Sequence, residues 1–374
     1  MDIKSITDKI SLPDNLNLIV NKIINSERIT KEEGLVLYNS ELGILGMLAN
    51  YVREQKHGQN TFFNKNIHIE PTNICVYNCT FCSYSRKQNE KGAWEHSPEE
   101  IIEIVKKYIN TDITEIHIVG GVHPHRDIYF YTDIIKQIKQ IMPNIHIKAF
   151  TAVELDFMIK KAGLNITDGL QILKDSGLNS IPGGGAEIFN EDIRKQICHE
   201  KSSSNLWLNI HETAHKIGIP SNATMLYGHI ETYNDRIEHL SRLRDLQDKT
   251  NGFNAFIPLK YKSMNNKLKH IGEVNYIEDL KTYAVSRIFL DNIPHIKSYW
   301  PMIGKDMAQL SLSFGVDDVD GTIDDTTKIY SMAGAKDQKP TMSSKEMIEL
   351  IKNANRIPVE RNSVYDIIPE SGIY

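Results

Sequence analysis

The stretch His68-Ile69-Glu70-Pro71-Thr72-Asn73-Ile74-Cys75-Val76-Tyr77-Asn78-Cys79-Thr80-Phe81-Cys82 holds three of the four cysteines in a chain of 374 residues. The spacing is C-x-x-x-C-x-x-C, with an aromatic residue just before the third cysteine. Three thiolates on one short loop suit three irons of a 4Fe–4S cluster, because soft sulfur ligands select such centres. The fourth iron then lacks a protein ligand, and a catalytic metal site keeps one position open for substrate. Two other readings compete. A structural zinc site wants four ligands, usually as two pairs; there is no second pair, and Cys198 could serve only if the fold returned it to the loop. A disulfide framework belongs to cysteine-dense secreted chains rather than to one this poor in cysteine. The spacing therefore makes Cys75, Cys79 and Cys82 the expected metal ligands and leaves Cys198 out.

Around this loop the chain reads as strand, loop and helix in repetition. Strands are expected at 66–70, 114–119, 145–150, 178–181, 221–226, 254–257, 295–299 and 316–319, with helices between them. Ser97-Pro98-Glu99-Glu100 opens one of those helices, with serine as the cap and proline at the first helical position. Eight such units give an α/β fold, a (βα)8 barrel of the TIM type, whose active site lies at the C-terminal ends of its strands. The cysteine loop, Gly120-Gly121, the loop 182–187 and Tyr227-Gly228-His229 all fall on that face. Residues 1–60 read as a helical extension, a lid or bottom cap, with a capping box at Thr30 to Glu33. The barrel is expected over 61–321, and a C-terminal extension packed on it over 322–374, polar from 335 to 344.

Composition narrows the function. The chain is 40% hydrophobic and 24% charged, ordinary for a globular protein. A net charge of −5 argues against a nucleic-acid surface, which is normally basic. Residues 1–12 are too charged for a signal peptide, and no apolar run approaches the ~20 residues of a membrane span. A cytoplasmic location is expected.

Other motifs carry a bland reading beside the functional one. Gly120-Gly121 is either a tight turn or a backbone that must approach a ligand closely. Gly183-Gly184-Gly185 lacks the G-x-G-x-x-G spacing of a dinucleotide site, but Glu187 beside it could accept from ribose hydroxyls. His211-Glu212-Thr213-Ala214-His215 matches the zinc-protease pattern H-E-x-x-H. Leu206, Ile210, Ala214 and Ile217 would form the buried stripe of that helix, with both histidines beside it, so an outer barrel helix is the preferred reading. His123 and His229 follow strands at the catalytic face, and Lys148 and Lys297 lie within strands, where lysine is unfavourable unless paired. These four are the candidate contacts to an anionic small-molecule substrate.

Cys75, Cys79 and Cys82 with Phe81 resemble the signature of the radical S-adenosylmethionine enzymes. The resemblance runs from about Glu32 to Tyr365. Ile116-His117-Ile118-Val119-Gly120-Gly121-Val122-His123-Pro124, Ile147-Lys148-Ala149-Phe150-Thr151-Ala152-Val153-Glu154 and Pro182-Gly183-Gly184-Gly185-Ala186-Glu187-Ile188 are similar to the menaquinone and deazaflavin branch of that superfamily. Within the branch, His295-Ile296-Lys297-Ser298-Tyr299-Trp300-Pro301-Met302-Ile303-Gly304 and Gly315-Val316-Asp317-Asp318-Val319-Asp320-Gly321-Thr322 resemble the aminofutalosine synthases. Glu70 departs from the family's more common asparagine, and the acidic residue that often follows Gly-Gly is missing. The resemblance implies a 4Fe–4S cluster on three cysteines, with the fourth iron chelated by S-adenosylmethionine, which is consumed. Gly120, Gly121, Glu187 and Tyr84 become its expected contacts. It also implies an external electron donor of the flavodoxin or ferredoxin type. The implied reaction adds the 5′-deoxyadenosyl radical to the alkene of 3-[(1-carboxyvinyl)oxy]benzoate, with aryl migration and loss of the carboxylate carbon, giving 6-amino-6-deoxyfutalosine.

Overall fold

The structure, a computed structural model, describes residues 12–325, 328–335 and 340–368. The first residues read for a signal peptide and part of the polar 335–344 segment lie outside that range. Three helices come first, α1 (Asp14–Ile24), α2 (Lys31–Tyr38) and α3 (Leu42–His57). The expected capping box is present: the Thr30 hydroxyl accepts from the Glu33 amide, and the Glu33 carboxylate accepts from the Thr30 amide. These helices flank the barrel and do not cover its mouth. Arg28 pairs with Asp248 and Asp291, and His57 reaches the Pro294 carbonyl at 2.9 Å, just before a strand begins.

The strands form a closed parallel ring in which the first and last members are each broken in two. The first consists of β1 (Asn60–Phe63) and β2 (Asn66–Ile69). After α4 (Pro98–Lys106) come β3 (Glu115–Ile118), α5 (Ile128–Ile141), β4 (His146–Ala149), α6 (Ala152–Lys161), α7 (Ile166–Ser176), α8 (Glu191–Cys198) and α9 (Ser204–Lys216). The ring continues with β5 (Ser221–Tyr227), α10 (Tyr233–Thr250), β6 (Phe253–Lys260), α11 (Tyr276–Phe289) and β7 (His295–Ser298). Short helices α12 (Trp300–Ile303) and α13 (Lys305–Ser311) lead to β8 (Asp318–Val319) and β9 (Thr322–Asp325).

Phe62 pairs with Asp318, and Asn66 with Thr322, so the broken first strand runs along the broken eighth and closes the barrel. The eighth strand therefore extends past residue 321, where the barrel boundary was expected. A glycine is required at that break, because a Cβ on Gly321 would lie 1.3 Å from the Asn64 carbonyl oxygen. The fourth expected strand is reduced to two single bridges, Lys148 with Ser180 and Ile181 with Ser221. The remaining elements are α14 (Ile329–Met332), α15 (Ser344–Asn353) and β10 (Ile357–Glu360), and β10 pairs with β1 from Asn60–Ile357 to Phe63–Glu360, outside the ring. Among the described residues no helix is long and apolar enough to cross a membrane.

Side chains alternate along barrel strands. Ile67, Ile69, Ile116, Ile118 and Ile147 point outward to the helices and are buried. Their neighbours Asn66, His68, Glu115, His117 and Lys148 point inward. The barrel lumen is polar where aliphatic layers would be usual, and this prepares a site.

Candidate active site

A cavity of about 310 Å³ opens at the C-terminal ends of the strands. Cys75, Cys79 and Cys82 lie in its wall together with Gly120, Gly121, Glu187, Tyr84, Lys148 and Lys297. The cysteine loop is held from several sides. The Val76 amide donates to the Val122 carbonyl at 2.9 Å, and the Thr80 amide to the Ile197 carbonyl at 2.8 Å. Lys87 Nζ donates to the carbonyls of Cys75 and Val76 at 3.1 and 2.7 Å. The Ser85 amide donates to Cys82 Sγ at 3.3 Å. Burial pushes the Cys75 thiol up, and pushes that of Cys79 up to about 12. Such thiols stay protonated until a metal cation takes the proton's place on sulfur and releases it to solvent. Three converging soft donors in a cavity wall fit an iron–sulfur cluster. Cys198, buried at the end of α8, is absent from the wall.

The glycine pair answers to the cysteine loop. A Cβ on Gly121 would stand 2.4 Å from the Ile74 carbonyl oxygen, and one on Gly120 2.8 Å from that of Thr72. The Gly121 amide donates to the Thr72 carbonyl at 2.7 Å. Both glycines exist because two backbones pack here without room for a side chain. The Gly120 amide donates to Glu154, whose carboxylate also caps α6; burial raises its pKa to about 7. Gly183 presses on β5 in the same way, since a Cβ on it would stand 2.7 Å from the Asn222 carbonyl oxygen.

Glu187 is buried, has a left-handed backbone (φ 48°), and pairs with Lys201 at 2.6 Å. Lys201 also sits 5.1 Å above the Phe81 ring, so this pair backs the cysteine loop directly. Tyr84 donates its hydroxyl to the Thr72 carbonyl at 3.0 Å. Burial, and then the charge of Glu70, drive its pKa well up. Deeper in the lumen, Lys148 pairs with Glu115 at 2.7 Å and Lys297 with Asp320 at 3.1 Å. Burial opposes the Lys297 charge, but Asp320 and Asp318 outweigh it and raise the pKa. His68 and His117 meet edge to face at 4.6 Å between these pairs. Burial holds His117 neutral, and its Nε2 has no hydrogen-bond partner.

His123 and His229 are placed elsewhere. Neither lies in the cavity wall. His123 Nε2 faces Glu95 at 3.2 Å, while His229 faces Glu231 at 3.1 Å and the Leu226 carbonyl at 3.1 Å. The histidines of the H-E-x-x-H helix also lie outside the cavity wall. His211 Nδ1 and His215 Nε2 both hydrogen-bond the Ser221 hydroxyl, at 2.8 and 2.7 Å. His211 stacks on Trp207 at 3.8 Å and is fully buried, so it belongs to the apolar stripe that it was expected to flank. At the opposite end of the barrel, ligand atoms of His57, His295 and Asp317 lie within 4.8 Å of one another. Arg287 occupies that carboxylate, and His57 Nε2 faces a carbonyl, so the cluster is satisfied as an ion-pair network.

Glu70, His68, Glu115, His117, Lys201, Tyr299 and Asp320 were not named in the sequence reading as site residues, although all line the cavity. Except for Lys201, which lies in the loop between α8 and α9, their signal was alternation: polar residues at every second position along strands and into their ends.

Residues 69–243 match the Radical SAM superfamily, and residues 250–372 match the CofH/MqnC C-terminal region. An aminodeoxyfutalosine synthase of Thermus thermophilus is 44% identical over 93% of this chain and 94% of its own. One of Streptomyces coelicolor is 39% identical over 93% of each. A 5-amino-6-(D-ribitylamino)uracil–L-tyrosine 4-hydroxyphenyl transferase of Methanocaldococcus jannaschii is 38% identical over 93% of this chain and 99% of its own. Among solved structures, methylornithine synthase shares the fold with a TM-score of 0.71 at 17% identity, covering 91% of this chain and 97% of that one. The chain is thus a radical SAM enzyme, and it belongs to the branch of that superfamily that carries the CofH/MqnC C-terminal region.

Proposed function

We propose that the chain catalyses the aminodeoxyfutalosine synthase reaction, a step of the futalosine route to menaquinone. The observation that carries this reading is near-full-length identity of 44% to a protein of that name, above the 38% and 36% of differently named relatives. The aromatic segment after β7 supports it, because Tyr299 and Met302 line the cavity and Trp300 Nε1 braces the wall by donating to the Asp320 carbonyl at 2.6 Å.

Cys75, Cys79 and Cys82 would hold a 4Fe–4S cluster, which when bound supplies the electron that cleaves S-adenosylmethionine at its open iron. The residues of the chain have other tasks. The Gly120-Gly121 backbone lies against the loop where the methionine part would rest. Glu187, backed by Lys201, would accept from the ribose hydroxyls, and Tyr84 forms part of the same cavity wall. The dianionic 3-[(1-carboxyvinyl)oxy]benzoate would occupy the lumen. There Lys148 and Lys297 keep ammonium donors beyond those spent on Glu115 and Asp320. Holding the alkene against the 5′-carbon while excluding hydrogen donors is positioning, and positioning is what a walled cavity provides.

An external flavodoxin- or ferredoxin-type protein would deliver the electron. A cytoplasmic location agrees with four free cysteines. The test is anaerobic incubation of the reconstituted protein with S-adenosylmethionine, a reductant and the enolpyruvyl benzoate, followed by mass spectrometry of the nucleosides. Aminodeoxyfutalosine is expected. Only 5′-deoxyadenosine here, with turnover of dehypoxanthine futalosine instead, would give the reaction to the cyclase.

A further inference from the structure

The mouth of the cavity is partly covered by a segment remote in sequence. Ile329, Tyr330 and Ala333 of the 328–335 segment line the cavity. This segment contains α14, a single turn too short to hold itself in place. It is held by contacts. Tyr330 packs on Tyr299 with ring centres 5.0 Å apart, and Lys328 Nζ lies 4.8 Å from the Trp94 ring centre. The Asn265 side-chain amide donates to the Met332 carbonyl at 2.8 Å. A further tie is charge-assisted. Glu70, at the end of the first barrel strand, accepts from the Lys328 amide at 2.9 Å and from the Ile329 amide at 3.3 Å, one on each carboxylate oxygen.

Glu70 is itself buried. A buried carboxylate is costly unless hydrogen-bonded, and charge-assisted bonds to backbone amides are about twice as strong as neutral ones. What the acid does is join the strand that launches the cysteine loop to the segment that roofs the cavity.

We infer that Glu70 is a positioning residue: it latches the 328–335 segment over the cavity and so keeps a substrate-derived radical away from solvent. The inference rests on the proposed reaction, but it concerns a different outcome. With the latch intact, cleaved S-adenosylmethionine ends in adduct. With the latch loosened, more of it ends as 5′-deoxyadenosine, quenched by hydrogen donors that enter the mouth.

Glu70→Gln preserves shape and one acceptor oxygen but removes the charge. Two readouts are taken on the anaerobically reconstituted full-length protein: the ratio of 5′-deoxyadenosine to adduct, and amide exchange of residues 328–335. Expected are a rise in that ratio by roughly tenfold, the size of one lost charge-assisted bond, and faster exchange confined to that segment, with iron content equal to wild type. A Glu212→Gln control, on helix α9 and outside the cavity wall, should leave both readouts in place. The inference fails if Glu70→Gln partitions like wild type, or if it loses iron, which would make Glu70 a support of the cysteine loop. Absence of any adduct from the wild-type protein would instead reject the proposed reaction, and segment exchange would still decide the latch.

Discussion

The cysteine loop and helix α9 both carry metal-ligand spacing, and the fold treats them in opposite ways. Cys75, Cys79 and Cys82 share a cavity wall, with burial raising the Cys75 and Cys79 thiols and the loop tied down by Lys87, by the Val122 carbonyl and by the end of α8. His211 and His215 converge on a hydroxyl, that of Ser221, with Trp207 and Phe253 packed around them. One set of donors lines a cavity, where Cys82 Sγ accepts from the Ser85 amide. The other is already hydrogen-bonded and faces the core. Spacing states which atoms could meet, while burial and partners decide what they meet.

The largest effect expected from breaking this contrast is at the cysteines. Cys75→Ala, Cys79→Ala and Cys82→Ala should each lower reductive cleavage of S-adenosylmethionine by more than about a hundredfold, since no other thiolate completes the set. Chromatographic assay of 5′-deoxyadenosine checks this. Next is Gly121→Ala, whose methyl would meet the Ile74 carbonyl oxygen at 2.4 Å. It should destabilise the protein by about 1–3 kcal/mol in denaturant titrations and loosen the cysteine loop. Unchanged stability would mean that the loops are less tightly apposed than described.

Replacing both His211 and His215 by glutamine should cost about 2–3 kcal/mol of stability, because a buried ring stack and the hydrogen bonds to Ser221 are lost. It should leave S-adenosylmethionine cleavage intact. Burial depresses the His215 and His146 pKa values to about 4, against about 6.5 when unfolded. Between those values the unfolded chain takes up protons that the folded chain refuses, so stability should fall as pH drops from about 6.5 towards 4. The double variant should fall less steeply over that window in urea unfolding. The smallest effect is expected at Cys198→Ser, a buried residue outside the cavity wall, which should retain the cluster chromophore and turnover.

What was legible in the sequence was what lies close along the chain. The cysteines, the glycine pairs and the alternation of strands and helices are local patterns, and the barrel follows from them. The departures came from contacts between distant segments. His123 and His229 do follow strands at the mouth but lie outside the cavity wall, His123 facing Glu95 of the loop after the cysteines and His229 facing Glu231, two residues along its own loop. Lys148 and Lys297 are strand lysines in need of partners, and the structure supplies Glu115 on the neighbouring strand and Asp320 at the break between β8 and β9. The Glu70 contact spans 258 positions, beyond the reach of any periodicity. His211 was set beside the apolar stripe because histidine is usually polar; Trp207 above it and Ser221 beneath it make it a core residue.

The contrast between the two motifs is tested most directly by metal analysis after anaerobic reconstitution. The wild-type chain, the Cys75→Ala/Cys79→Ala/Cys82→Ala variant and the His211→Gln/His215→Gln variant are compared. About four irons per chain are expected in the wild type and in the histidine variant, and none in the cysteine variant. Stoichiometric zinc that follows the histidines, or iron that survives loss of the three cysteines, would contradict the account.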